Sequence, residues 1–167
     1  DGSLKGTPDF AEVCGFDRST QGLVPIECDI AEKWVFVRPD PDGGGLPTFL
    51  GPALTRHLAD RGLGSLRWME RRHYTLECNW KVYVDNYLEG LHIPHVHKGL
   101  AAAIDYPGYR SELFPWSSLQ VGMARAGEDA FEPPASSPDH GTRIAAYYFW
   151  LFPNTMLNVY PWGVSVN

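Results

Sequence analysis

Cysteine is scarce: only three, Cys14, Cys28 and Cys78, are scattered through 167 residues. That is too few and too dispersed for a disulfide framework, and it points to a reducing compartment, the cytoplasm. All three are expected as small core residues. Long apolar runs are also missing, because Gly and Pro interrupt each of them, so nothing reads as a membrane span or a signal peptide. Positive charge is in the minority, with 14 Lys and Arg against 20 Asp and Glu. That balance argues against nucleic-acid or polyanion binding. No histidine precedes His57, and no internal repeat is visible. What the chain does have is apolar and aromatic content ample for a core, 44% and 13%, at the length of about one ordinary domain.

Short strands dominate the start. Leu23–Cys28 and Lys33–Arg38 read as strands joined by a turn at Asp29–Glu32. Residues 39–52 (PDPDGGGLPTFLGP) are rich in Pro and Gly and read as a linker, with a boundary near Asp40–Pro47. Pro52–Arg61 reads as a short helix ending at Gly62, with His57 as an ordinary surface histidine. Leu66–Cys78 alternates in polarity like a strand. Asn79 is a suitable N-cap for a helix over Asn79–Leu91. Further strands are predicted over Leu119–Ala126, Arg143–Phe152 and Met156–Asn167, with a polar, Pro-rich loop from Gly127 to Gly141. Strands with one long helix predict an α+β fold, an antiparallel sheet gripping that helix.

The helix carries the most informative residues. Asp85, Glu89, His92 and His97 follow the spacing D-x3-E-x2-H-x4-H. At about 100° per residue the first three fall on one helical stripe. Pro94 disfavours helix at Ile93, so a turn there can bring His97 back beside His92. Two imidazoles on a rigid corner are two-thirds of a 2-His-1-carboxylate iron site. Spacing alone leaves open a surface loop of histidines, and a solvated acidic face whose repulsion costs only about 0.2–0.5 kcal/mol. The acids, however, adjoin an apolar stripe (Trp80, Val84, Leu88, Leu91). Carboxylates at the edge of a core need a cation, a hydrogen-bond donor or a proton.

The stretch ECNWKVYVDNYLEGLHIPHVH closely resembles the iron-binding segment of the catalytic subunits of Rieske non-haem iron oxygenases, the ring-hydroxylating class. Asn79, Trp80, Lys81, Asp85, Asn86, Glu89, His92 and His97 match that family's pattern in register. Residues 1–42 resemble the last strands of the family's Rieske domain. Residues 152–167 resemble a strand pair lining its substrate pocket. The resemblance implies the C-terminal part of a Rieske all-β domain (1–42), a linker (43–52) and the first part of a helix-grip, START-like catalytic domain (53–167).

It further implies His92 and His97 as ligands of a mononuclear Fe(II). Glu89 would be the acid bridging this iron to the Rieske cluster of a neighbouring subunit, supported by Asp85 and Asn86. Tyr148, Trp150, Asn158, Tyr160 and Trp162 would line the pocket. The C-x-H and C-x-x-H pairs of a Rieske [2Fe-2S] cluster are not in the sequence. None of Asp105, Glu112, Asp129, Glu132 and Asp139 is selected by the family as the third iron ligand. The chain is therefore expected to be an inactive internal fragment whose third ligand lies elsewhere. His95 stays a lesser candidate ligand, and His73 and His140 have no motif support.

The implied reaction is O2-dependent hydroxylation of an arene, or oxidative demethylation of a small substrate. Electrons would come from NAD(P)H through a reductase or ferredoxin, in a homotrimer. The aromatic residues could equally cage a quaternary ammonium, as in choline- and betaine-type monooxygenases of the family. Two readings remain outside catalysis, a degenerate subunit and a helix-grip ligand carrier.

Overall fold

In the computed structural model, every residue from 1 to 167 is described except Ala11, Pro41 and Asp60 and, for its side chain, Ala53. Pro41, within the expected boundary Asp40–Pro47, and Asp60, within the expected helix Pro52–Arg61, thus lie outside the described residues. The chain divides into two units, Asp1–Gly44 and Gly45–Asn167.

The first unit holds one hairpin. Strand β1 (Glu27–Ala31) pairs antiparallel with β2 (Trp34–Arg38), in register from Glu27 opposite Arg38 to Ala31 opposite Trp34. The first strand starts later than expected. Pro25 offers no backbone donor to a ladder, so pairing begins beyond it. The turn narrows to Glu32–Lys33, where Glu32 adopts a left-handed φ of 53°. An Arg38–Glu27 ion pair ties the open end of the hairpin. Cys28 lies exposed on β1, and Cys14 and Cys78 are exposed too, against their expected place in the core.

The second unit opens with α1 (Leu46–Leu58). Helix therefore begins inside the segment 43–52 expected to be linker. Pro47 sits in its first turn, where a fixed φ suits a helix and no amide is needed. Gly51, at φ 71°, breaks the helix in two just before Pro52. Leu50, Leu54 and Leu58 recur every four residues and are all buried. Leu54 is only 1% exposed, so Leu54→Ala should cost about 2–5 kcal/mol through lost burial and the cavity left behind. A urea unfolding curve would measure it, and a loss below about 1 kcal/mol would contradict this packing.

Helices α2 (Trp80–Leu88), α3 (Ile93–Val96) and α4 (Lys98–Ala103) follow. Then come β3 (Ile104–Leu113), β4 (Ser117–Ala124), β5 (Ile144–Leu151), β6 (Thr155–Tyr160) and β7 (Gly163–Val166), an antiparallel meander in the order β3-β4-β5-β6-β7. The predicted α+β class holds, and β3 was not foreseen. The β3–β4 register is irregular between Asp105 and Arg110.

Leu66–Cys78 forms no strand. The sheet edges are β3 and β7, and neither pairs with it. Alternation without a partner leaves Trp68 and Tyr74 exposed. Both faces of β5 are covered, which explains why nearly all of its residues are buried. No helix among the described residues is long and apolar enough to cross a membrane.

Candidate functional site

Helix α2 starts where the sequence says it should. The Asn79 side chain accepts a hydrogen bond from the Lys81 amide at 3.0 Å, satisfying one of the free donors at a helix N-terminus. Its end differs from expectation. The helix stops at Leu88 and Glu89 is extended, three residues short of the expected end at Leu91 and six before Pro94. Pro94 instead opens the short α3, again in the first turn that proline tolerates. Asp85 and Glu89 therefore do not share a helical stripe. The expected apolar stripe is reduced to Val84 as its buried member, and Leu91, beyond the helix, is 76% exposed.

The early end has an anchor. Gln120 on β4, only 2% exposed, donates through Nε2 to the Tyr87 carbonyl at 2.6 Å. That is one of the carbonyls a helix C-terminus leaves without a partner. Gln120 Oε1 accepts from the Tyr109 hydroxyl at 2.8 Å. The Tyr87 hydroxyl donates to Asn158 Oδ1 at 3.0 Å, while Asn158 Nδ2 donates to Ser165 Oγ at 2.9 Å. Gly90 follows, where a Cβ would stand 3.1 Å from Tyr109 Cε1. This set fixes the end of α2 against the sheet. Tyr87, Gln120, Tyr109 and Gly90 were not singled out from the sequence. A lone glutamine inside an apolar strand was the available signal.

From that fixed end the chain turns through Glu89 and His92. Glu89 Oε1 takes a short hydrogen bond from His92 Nδ1, and Oε2 receives the backbone amides of Leu91 and, at 3.3 Å, His92. The bond with the His92 ring, aided by those two amides and opposed by slight burial, holds the Glu89 carboxyl below its usual range. An ionised carboxylate only accepts, so Nδ1 carries the proton and the Nε2 lone pair is left for a metal. The α3 turn brings His97 round, its ring centroid 4.9 Å from that of His92 at a 74° interplanar angle. His95 lies exposed on α3, and Asp85 and Asn86 lie exposed on α2. The two rings and the oriented tautomer fit the histidine half of an iron site. No group of three His, Cys, Asp or Glu able to hold a metal occurs among the described residues.

Helix α4 begins directly after His97, and its Leu100 and Ala103 line a cavity of about 250 Å³. Tyr148, Tyr160 and Trp162 form its aromatic wall, and Glu128 and Asp129 its acidic lip. Tyr160 stacks on Trp162 at 4.7 Å and meets Tyr148 edge-on at 5.9 Å. Two of the residues expected in a pocket do not line this one. Asn158 is committed to Tyr87 and Ser165, and Trp150 packs edge-on against Phe152.

The opposite face of the sheet holds a buried charged network. His57, expected at the surface, is 2% exposed. Its Nδ1 lies 3.0 Å from Asp139 Oδ2, and that oxygen also accepts from the Tyr147 hydroxyl at 2.8 Å. Arg110 binds Asp139 Oδ1 in a short ion pair. Arg61 donates to the Tyr147 hydroxyl at 2.8 Å. His57 falls in the inward stripe of α1, one residue before Leu58, which was the signal missed.

These features coincide with a known family. A family model described as the ring hydroxylating alpha subunit (catalytic domain) matches residues 63–167. The chain belongs to this family. Among curated relatives, the chloroplastic choline monooxygenase of Arabidopsis thaliana is 32% identical over 176 residues, 96% of this chain and 40% of the relative. The carnitine monooxygenase oxygenase subunit of Escherichia coli K12 is 31% identical over 163 residues, 96% of this chain and 42% of the relative. Among solved structures, a quaternary ammonium Rieske monooxygenase in complex with an inhibitor superimposes with a TM-score of 0.73 at 25% identity, over 99% of this chain and 43% of that one. The chain thus spans about two fifths of the length of the relatives it matches.

Proposed function

We propose that this chain is the iron-binding part of an O2-dependent Rieske-type oxygenase acting on a small quaternary ammonium compound. The observation that carries this reading is the corner at which Glu89 orients His92, His97 stands beside it, and a cavity with aromatic walls begins one helix away. His92 and His97 would hold the ferrous ion through neutral imidazole nitrogens. When bound, that ion supplies O2 activation next to the substrate. Glu89 fixes the His92 tautomer and keeps the Nε2 lone pair aimed away from its own carboxylate. In a trimer, Glu89 would also connect this site to the Rieske cluster of a neighbouring subunit. Electrons would reach that cluster from NAD(P)H through a reductase or ferredoxin.

The substrate reading follows from the cavity. Three aromatic faces can each attract a cation, at about 0.5–2 kcal/mol per good contact, and two carboxylates stand at the lip. An arene is the second reading, and the aromatic wall supports it equally, but an arene has no use for the acids. Choline and carnitine monooxygenases among the relatives lean the same way.

The complete enzyme, supplied with reductase and NADH, should consume O2 faster with choline or carnitine than with benzoate or toluene. An oxygen electrode with product analysis decides it. Coupled turnover of arenes alone would reject the ammonium reading, and no substrate-dependent O2 uptake would reject the oxygenase.

A further inference from the structure

Deepening the ammonium reading, on which it rests, we propose that Glu128 and Asp129 make this site selective for a substrate of net positive charge, an ammonium without a carboxylate, over a zwitterion that bears one. Both acids line the cavity beside Tyr148, Tyr160 and Trp162, and no lysine or arginine is among the described lining residues. Neither carboxylate has a hydrogen-bond or ion-pair partner among the described residues. Arg143 does reach this loop, but its guanidinium donates to the backbone carbonyls of Arg125 and Glu128, at 3.1 and 2.6 Å.

The loop is held where the acids face the cavity. The Arg125 amide donates to the Ala103 carbonyl at 3.0 Å. Its guanidinium donates to the Ile104 carbonyl at 2.9 Å. Phe131 bridges to Ile144 on β5. The lip is therefore fixed against the end of α4, the helix that follows His97. Placing a ligand carboxylate against two fixed acids is repulsive, whereas a lone ammonium gains from both.

Calorimetry on the complete ferrous enzyme under nitrogen tests this with choline, carnitine and 3,3-dimethylbutan-1-ol, the uncharged isostere of choline. Choline should bind at least about tenfold tighter than either, the factor that 1.4 kcal/mol represents. The double variant E128Q/D129N should lose about that factor for choline, keep its affinity for the neutral alcohol, and narrow the gap to carnitine. Choline affinity indifferent to the double variant, or carnitine bound as tightly as choline by the wild type, would overturn the proposal while leaving the ammonium reading in place. Failure of every ammonium compound to bind the wild type would overturn both.

Discussion

Replacing His92 or His97 with alanine should lower ferrous-ion affinity by more than about a hundredfold and abolish turnover, whereas His95→Ala should leave both near wild type. The scale follows from the milder change: substituting a group that only orients a ligand, as in Glu89→Gln, typically costs about 10–100-fold in metal affinity. Losing one of two imidazoles must cost more, because no other group of three suitable donors is available among the described residues to take its place. The ordering of these variants is the informative part. Glutamine can still accept from Nδ1–H but carries no charge, so it keeps the tautomer and loses the electrostatic support. Competition titration with a chromophoric ferrous chelator, under nitrogen, gives each affinity. Iron retained at full stoichiometry by His97→Ala, or lost by His95→Ala, would mean that the wrong imidazole has been assigned.

The second large effect concerns stability, and it lies on the opposite face of the sheet. Asp139→Ala should destabilise the second unit by about 3–5 kcal/mol, the usual consequence of removing one partner from a buried ionic network. Asp139 has no exposed side-chain surface, and it serves Arg110, His57 and the Tyr147 hydroxyl at once. Without it, the Tyr147 hydroxyl and His57 Nδ1 lose their buried acceptor, and Arg110 keeps only the part-exposed Glu112 at 3.3 Å. Tyr147→Phe removes one hydrogen bond and should cost only about 1 kcal/mol.

The network also predicts a pH dependence. Burial alone would raise the Asp139 carboxyl, but hydrogen bonds from Tyr147 and Arg110 outweigh it and hold the carboxyl below its usual range. A depressed carboxylate contributes stability above its unfolded value of about 4, and that stability is lost as pH falls through the lower folded value. Chemical denaturation of wild type and Asp139→Ala between pH 7 and pH 3 checks both points. The difference between them should shrink toward the acid end. A constant difference, or one below about 1 kcal/mol at neutral pH, would show that the network is not built around an ionised Asp139.

The particular residues show which features could be read in one dimension. The Asn79 cap was legible because a capping side chain and the amides it serves are two or three residues apart. The His92–His97 corner was legible for the same reason, since five residues and a proline limit how the rings can meet. The end of α2 was not legible. It depends on Gln120, some thirty residues later, reaching back to the Tyr87 carbonyl, and nothing near Leu88 in sequence announces that contact. The strand expected over Leu66–Cys78 failed for the complementary reason. Alternation records a preference for a sheet, but a strand needs a neighbour to bond to.

His57 and Asp139 are 82 residues apart, so the inward stripe of α1 could place the histidine in the core but no local pattern could name its partner. The cavity behaves likewise: Leu100, Glu128, Tyr148 and Trp162 come from a helix, a loop, the central strand β5 and the β6–β7 turn. The local chemistry was readable in one dimension, namely the paired imidazoles, the acid three residues before the first, the helix cap and the α+β class. Those rest on short-range geometry and on hydrophobic periodicity. Which acids are buried, which aromatics share a wall and where the helix stops depend on groups that meet only after the sheet has brought distant segments together.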